Sequence, residues 1–256
     1  MSVTVHSLAR NEDQFVKFAL LSVLPFVDRV FIYDTGSTDK TADIINSIGS
    51  DKIGFEQKGA VSPQKLVSLR REMIEKTKTD FFMLLDGDEI WPENNIKKFL
   101  SDMNGMPKEK IAVYCRTRNA VGDIYHYLPD SAGAYNFQGK TGHFAMRGFR
   151  NLPGLTLEGV YPLETYRYQN RSLNSWDDKL FFSDTWYFHA THLKRSSSLE
   201  KVAGLRMRKI ETGIPFKDKE LPEVFSEAEF PKRSAFYENI ARIVSPIKEI
   251  KRSFLK

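Results

Sequence analysis

The 256-residue chain is 41% hydrophobic and 28% charged, a balance that supports a sizeable core and excludes a disordered or low-complexity polymer. Its 38 basic and 33 acidic residues leave a net charge of +5, but the two signs are interleaved, and without a concentrated basic stripe or RNA-binding motif no nucleic-acid partner is expected. A single cysteine, Cys115, excludes an internal disulfide; Met1 to His6 lack signal-peptide character and no run approaches the ~18 apolar residues of a membrane span, so a cytoplasmic protein is expected.

Val3, Val5 and Leu8 begin a strand that passes into the polar run Ala9-Arg10-Asn11-Glu12-Asp13. Phe15, Phe18, Ala19 and Ser22 then recur at helical spacing, which predicts a helix over 13–25. Arg29 to Asp34 reads as a buried strand, Thr35-Gly36-Ser37 as a turn, and Thr38 to Ile48 as a helix capped by Ser37 or Thr38, with Asp39 near its positive end. A short strand over 53–57 follows. Pro63 opens a helix with Leu66, Leu69, Met73 and Thr77 on one face, and a strand runs from Asp80 to Leu85. Strands alternating with helices of this length predict an α/β fold whose mainly parallel sheet is covered on both faces.

Residues 111–115 form a further strand that buries Cys115 as an inert thiol, and 119–165 read as short strands and long loops. Residues 179–193 are aromatic-rich, 195–211 read as a basic helix, and Phe236, Ile240, Ile243, Ile247, Ile250 and Phe254 mark a C-terminal helix with a break at Pro246.

Parallel sheets bind ligands beyond the carboxyl ends of their strands. Arg10 and Asn11, Asp34 and Thr35, and Asp86 to Glu89 all fall at such ends. Asp86 and Asp88 flank Gly87, which permits a close backbone approach. Two adjacent carboxylates repel one another, and a divalent cation with a preference for oxygen, Mg²⁺ or Mn²⁺, relieves that repulsion. The plainer reading is a solvated acidic turn.

The order and spacing of Ala9-Arg10-Asn11-Glu12, Val27-Asp28-Arg29-Val30, Asp34-Thr35-Gly36-Ser37-Thr38-Asp39, Arg70 and Leu85-Asp86-Gly87-Asp88-Glu89 resemble the inverting family 2 nucleotide-sugar glycosyltransferases. The resemblance covers roughly the first 40% of the chain. It implies a single α/β/α sandwich of glycosyltransferase A type: a nucleotide-sugar-binding core over 1–115, an irregular acceptor-side extension over 116–232, and a basic amphipathic helix over 233–256. It further implies a nucleotide-diphosphate sugar donor, Mn²⁺ or Mg²⁺, and a saccharide, lipid-linked or protein acceptor in surface glycan, glycolipid or glycoprotein assembly. Asp34 would receive base or ribose, with Ala9, Arg10, Asn11 and Glu12 lining the same pocket. Asp86 would face ribose or metal-bound solvent, and Asp88 would be the leading metal ligand. Arg70 matches a diphosphate, with Lys65 and Arg71 as rivals.

Arg147-Gly148-Phe149-Arg150-Asn151 and Glu158-Gly159-Val160 resemble the family's acceptor-side segment. Where many relatives have His-Glu, this chain has Tyr161-Pro162-Leu163-Glu164. Inverting transfer needs a carboxylate base beside the acceptor hydroxyl; Glu164 is the first choice, with Glu158, Asp177 and Asp178 open. His189 and His192 resemble the family's late metal- or diphosphate-contacting histidine, Lys194 and Arg195 are basic candidates beside them, and His126 and His143 can line an acceptor pocket. Lys248, Lys251, Arg252 and Lys256 beside an apolar face suit peripheral contact with an anionic membrane, docking onto the core, or self-association. A sugar-phosphate nucleotidyltransferase would use a similar core and acidic metal ligands but requires a Gly-rich phosphate loop that this sequence lacks, and a catalytically inactive nucleotide-sugar-binding protein would keep the fold without turnover.

Overall fold

A computed structural model describes residues 1–133, 135–193, 210–217 and 219–254. The strand-helix alternation of the first hundred residues builds four parallel strands, β1 (Val3–Ala9), β2 (Arg29–Asp34), β3 (Ile53–Gln57) and β4 (Phe81–Leu84), in the order β4-β1-β2-β3. β1 lies inside, bonded to β2 and β4, which is why it is buried on both faces. β3 is the edge, and its outer margin is guarded by charge: Lys58 and Lys76 bridge Glu56 and Glu72 against the Tyr33 phenol.

The pleat of β4 sorts the core into two layers. Phe81 and Met83 join Phe15, Val16 and Leu20 of the N-terminal helix region, Ile45, and Phe99 and Met103 on one face. Phe82 and Leu84 turn to the other face, with Val67, Ile74, Phe149 and Tyr166. Helices α1 (Val16–Val23), α2 (Thr41–Ser47) and α4 (Glu93–Gly105) therefore supply one layer, and α3 (Pro63–Lys76) the other. On the α3 face, Phe82 stacks on Phe149 at 4.8 Å and Phe149 packs on Tyr166 at 4.2 Å between ring centroids.

Beyond β4 the sheet becomes mixed. The strands in order are β5 (Glu89–Ile90), β6 (Ala112–Val121), β7 (Asp123–Tyr127), β8 (Tyr135–Phe137), β9 (Lys140–Gly142), β10 (Phe144–Arg150), β11 (Thr156–Glu158), β12 (Thr165–Tyr168), β13 (Arg171–Ser172), β14 (Leu180–His189) and β15 (Ile214–Pro215). β10 inserts antiparallel between β4 and β6, and β14 runs parallel to β6 while its end pairs antiparallel with β5. β11, β12 and β13 form a separate small sheet packed on α3. The expected α/β sandwich is present, its first four strands parallel and its second half mixed.

Two sequence expectations are corrected. The helix expected from Thr38 begins at Thr41, because Asp39 accepts from the Thr41 amide at 3.0 Å and its hydroxyl at 2.6 Å and so holds the preceding residues in a turn. The C-terminal helix α5 (Ala235–Phe254) does not break at Pro246. It is anchored on both sides of the proline: Ser245 Oγ accepts from the Thr212 amide, and Lys248 and Arg252 pair with Glu211, so tertiary contacts outweigh the lost helical bond. The basic helix expected over 195–211 lies, save its last two residues, outside the described residues.

Candidate active site

The first wall of the site comes from the carboxyl ends of β1 and β2. The Ala9 carbonyl accepts from the Thr35 amide at 2.9 Å and its hydroxyl at 3.1 Å, tying the two strand ends together. Asn11 adopts a left-handed backbone (φ 54°) and its Oδ1 accepts from the Thr38 amide at 2.7 Å, so it braces the loop after β2. Asp34 Oδ1 accepts from the Gly36 and Ser37 amides at 2.7 and 2.8 Å. Its Oδ2 is buried with no partner, an acceptor left for a ligand group to fill. Arg10 is exposed at the same strand ends, and the buried Glu12 lies against the acidic turn, its Cβ and Cγ where a Gly87 side chain would fall, at 3.0 and 2.9 Å. That contact is why the turn needs glycine.

The second wall is the turn after β4. Asp86 is held between two guanidiniums, Arg70 Nη2 at 3.4 Å and Arg147 Nη2 at 3.3 Å. Glu89, fully buried, accepts from the Asp86 amide at 3.1 Å through Oε2 and pairs with Arg147 through Oε1. Burial raises the Glu89 carboxyl above its ordinary value, against the pull of Arg147. Arg147 reaches this point because β10 changes register between Met146 and Gly148, a bulge that turns its side chain toward the turn. Among the three basic candidates of α3, only Arg70 reaches the acidic turn: Arg71 Nε donates to the Leu157 carbonyl at 2.5 Å, and Lys65 is exposed near the helix start. Arg70 Nη1 is buried without a partner.

The third wall is the end of β14. Its antiparallel register with β5 sets His189 opposite Glu89, and its parallel register with β6 sets His189 beside Asn119. His189 Nε2 lies 3.3 Å from Asp88 Oδ2, and Nδ1 lies 3.0 Å from Asn119 Oδ1, which also accepts from the Thr117 hydroxyl at 2.7 Å. With the Asn119 carbonyl oxygen on Nδ1, that nitrogen carries the ring proton, and Nε2 faces the Asp88 carboxylate. Only a second proton or a cation makes that approach favourable. Burial works against the charged ring, but the charge and hydrogen bond of Asp88, with Glu89 behind, outweigh it and hold His189 above its ordinary value.

Asp88 and His189 thus set a carboxylate, the ligand type that Mn²⁺ and Mg²⁺ favour, beside an imidazole, which Mn²⁺ accepts more readily than Mg²⁺, and Asn119 supplies the backing that would orient a ligating imidazole. Among the described residues no group of three His, Cys, Asp or Glu side chains is already arranged to hold a metal ion. The pair and its orientation fit such an ion, and oxygens of a bound ligand and water would have to supply the remaining ligands. His192 lies in the turn after β14, half-buried; Lys194 and Arg195 lie outside the described residues.

Of the base candidates, Glu164 sits in the same charge cluster as Arg70 and Asp86, with Oε2 buried and unpartnered. Burial raises the neighbouring Tyr166 phenol to about 12, against the charges of Arg70 and Arg147. Glu158 is half exposed and occupied by Arg167 at 3.1 Å. Asp177 and Asp178 precede β14, at the opposite end of a ten-residue strand from His189, roughly 30 Å away. Cys115 is buried, and burial pushes its thiol up, so it is no nucleophile. His126 binds Asp123 at 2.7 Å, whereas His143 has a buried, unpartnered Nε2 and is lowered from its ordinary value by burial. Glu89 and Arg147 lie in segments that carry the family resemblance and Tyr166 among the aromatic residues of the middle region, yet the sequence gives none of the three a role at the acidic turn, and Asn119 carries no local signal.

A mainly parallel half-sheet with acidic and basic groups gathered at its strand ends, closed by a mixed half, defines a glycosyltransferase A-type fold. The model of glycosyl transferase family 2 matches residues 4–158, more than half of the chain, and the protein belongs to that family. Among solved structures, S. aureus TarS 1–349 in complex with UDP-GlcNAc is similar at 13% identity and TM-score 0.51, over 81% of this chain and 62% of that one. TarS 1–349 in another crystal structure is similar at 12% identity and TM-score 0.48, over 75% and 61%. Glucosyl-3-phosphoglycerate synthase from Mycobacterium tuberculosis, with Mn²⁺ and UDP-glucose, matches at 22% identity and TM-score 0.38, over 46% of this chain and 44% of that one. The likeness to TarS with UDP-GlcNAc, at TM-score 0.51, speaks to the fold alone, and the chain spans less than two thirds of each of those proteins. No curated protein matches the sequence.

Proposed function

We propose that the protein is a metal-dependent, inverting glycosyltransferase that moves a sugar from a nucleotide-diphosphate sugar to an acceptor hydroxyl, in assembly of a surface glycan, glycolipid or glycoprotein. The observation that carries the reading is the Asp88–His189 pair at 3.3 Å, its imidazole fixed by Asn119, at the carboxyl end of the parallel half-sheet. Asp34 Oδ2 accepts from the base or ribose of the donor, with Ala9, Arg10, Asn11 and Glu12 shaping that pocket. Arg70, through its unpartnered Nη1, contacts the diphosphate, and Asp86 positions Arg70 while facing ribose or metal-bound water. Asp88 and His189 hold the cation, with His192, in the turn that follows β14, as a second imidazole and Lys194 as a further phosphate contact. A bound Mn²⁺ or Mg²⁺ supplies charge neutralisation for the departing nucleotide diphosphate.

Glu164 takes the proton of the acceptor hydroxyl as its oxygen forms a bond to the anomeric carbon. The bond from that carbon to the diphosphate oxygen breaks from the opposite face, so the configuration inverts and the electron pair leaves with the nucleotide. The acceptor is a hydroxyl of a saccharide, a lipid-linked glycan or a protein. Exposed Tyr161 and half-buried Tyr168 offer ring faces to its apolar side.

Titration calorimetry across nucleotide-diphosphate sugars, with and without Mn²⁺ or Mg²⁺, tests the proposal. One donor is expected to bind with affinity strengthened by the cation, and Asp88→Ala to abolish that strengthening together with transfer. Absence of cation-assisted binding to every nucleotide and sugar nucleotide would overturn it.

A further inference from the structure

Helix α5 carries Phe236, Ile240, Ile243, Ile247, Ile250 and Phe254 at successive spacings of four, three, four, three and four residues. That alternation places all six on one narrow stripe. Phe236, Ile243, Ile247, Ile250 and Phe254 are between 59% and 83% exposed. The opposite face is the docked one: Ala241 and Ser245 are buried, the Tyr237 hydroxyl accepts from the Glu211 amide at 3.2 Å, and Lys248 and Arg252 pair with the Glu211 carboxylate. The helix is therefore already seated, and its apolar stripe points away from the seat.

We infer that this stripe is a self-association surface, through which two copies of the chain join along α5. The alternating spacing is that of a coiled-coil seam, in which residues of one helix fit between those of another; a lipid surface has no need of it. The flanks agree with a symmetric pairing. On one side stand Asn239, Pro246 and Ser253, on the other Tyr237, Val244 and Lys251, so a twofold contact brings no row of like charges together. Charge also disfavours a membrane as the occupant. Two of the basic residues that suggest a lipid-facing helix, Lys248 and Arg252, are turned inward to Glu211. The exposed charges of the described helix, Arg242, Glu249 and Lys251, nearly cancel, and only Lys251 flanks the stripe, leaving little to draw it to anionic lipid. The twenty-residue helix is about 30 Å long, and six large apolar side chains along it approach the ~800 Å² per partner of a standard interface.

Sedimentation velocity of the full chain at tens of micromolar, beside the Ile243→Glu/Ile250→Glu and Ile243→Leu/Ile250→Leu double variants, tests the inference. The wild-type chain and the leucine variant are expected to sediment as dimers, and the glutamate variant with half that mass, its circular dichroism and donor binding unchanged. A monomeric wild type, or a dimer indifferent to the two glutamates, would overturn it. So would a monomeric wild type that co-sediments with phosphatidylcholine-phosphatidylglycerol vesicles, which would assign the stripe to lipid.

Discussion

At Glu164 a carboxylate oxygen is buried without a partner beside a guanidinium, and a group so placed must find its hydrogen bond in something that enters the site. If the acceptor hydroxyl is that partner, Glu164→Gln keeps the shape but cannot take the proton. Transfer is then expected to fall by about 100-fold or more while donor affinity stays within experimental error; initial rates against calorimetric affinity separate the two effects, and retained transfer would move the base elsewhere. His189 yields a pH dependence with a definite sign. Its folded value is raised by Asp88, so in the cation-free protein the ion pair contributes stability that is complete below the ordinary value near 6.5 and is lost as pH rises through the folded value. A cation at Nε2 must displace the second ring proton, so Mn²⁺ affinity is expected to rise with pH across that titration, with proton release on binding. Calorimetry in two buffers of different ionisation enthalpy measures the release; equal affinity at acid and neutral pH would contradict it.

Among the elements, those with regular periodicity were the ones open to reading. Burial on both faces of β4 follows from its continuous apolar run, whereas β1 buries Thr4, His6 and Ser7 through its central place in the sheet, and the fall of Asp34 and of Asp86 to Glu89 at strand ends follows from knowing where β2 and β4 stop. What escaped depends on register. Arg147 enters the site through a bulge between Met146 and Gly148, and His189 meets Asp88 because β14 aligns with both β5 and β6. Neither pairing leaves a periodic mark, since each is decided by strands distant in sequence. Pro246 misled for a related reason: a local rule against helix continuation was overruled by the distant Glu211 and Thr212. Glu211→Ala is accordingly expected to loosen α5 as a unit, costing about 1–3 kcal/mol by removing the carboxylate that pairs with Lys248 and Arg252. Faster amide exchange across 235–254, with 3–9 unaffected, is the readout; unchanged exchange would mean that the helix is held by something else.

For the whole molecule, the carboxyl ends of the parallel strands gather the charged groups of the candidate site, and the seated helix α5 turns an apolar stripe outward. The net charge of +5 says little about the site, where acids outnumber bases. Asp86, Asp88, Glu89 and Glu164, with Glu12 against the turn, face Arg70 and Arg147, and His189 is able to shift the sum by one. A diphosphate entering such a place would make it strongly negative, and a divalent cation would relieve that excess. Each offsets the charge that the other introduces, so under the proposed function donor and cation bind as a coupled pair. Reciprocity then requires that the factor by which Mn²⁺ tightens the donor equal the factor by which the donor tightens Mn²⁺. Two titrations, each in the presence of the other ligand, would measure one coupling free energy twice. Under the proposed function, a site whose acids are only partly offset by its arginines would repel a diphosphate until a cation is present, and so would admit the donor together with its metal.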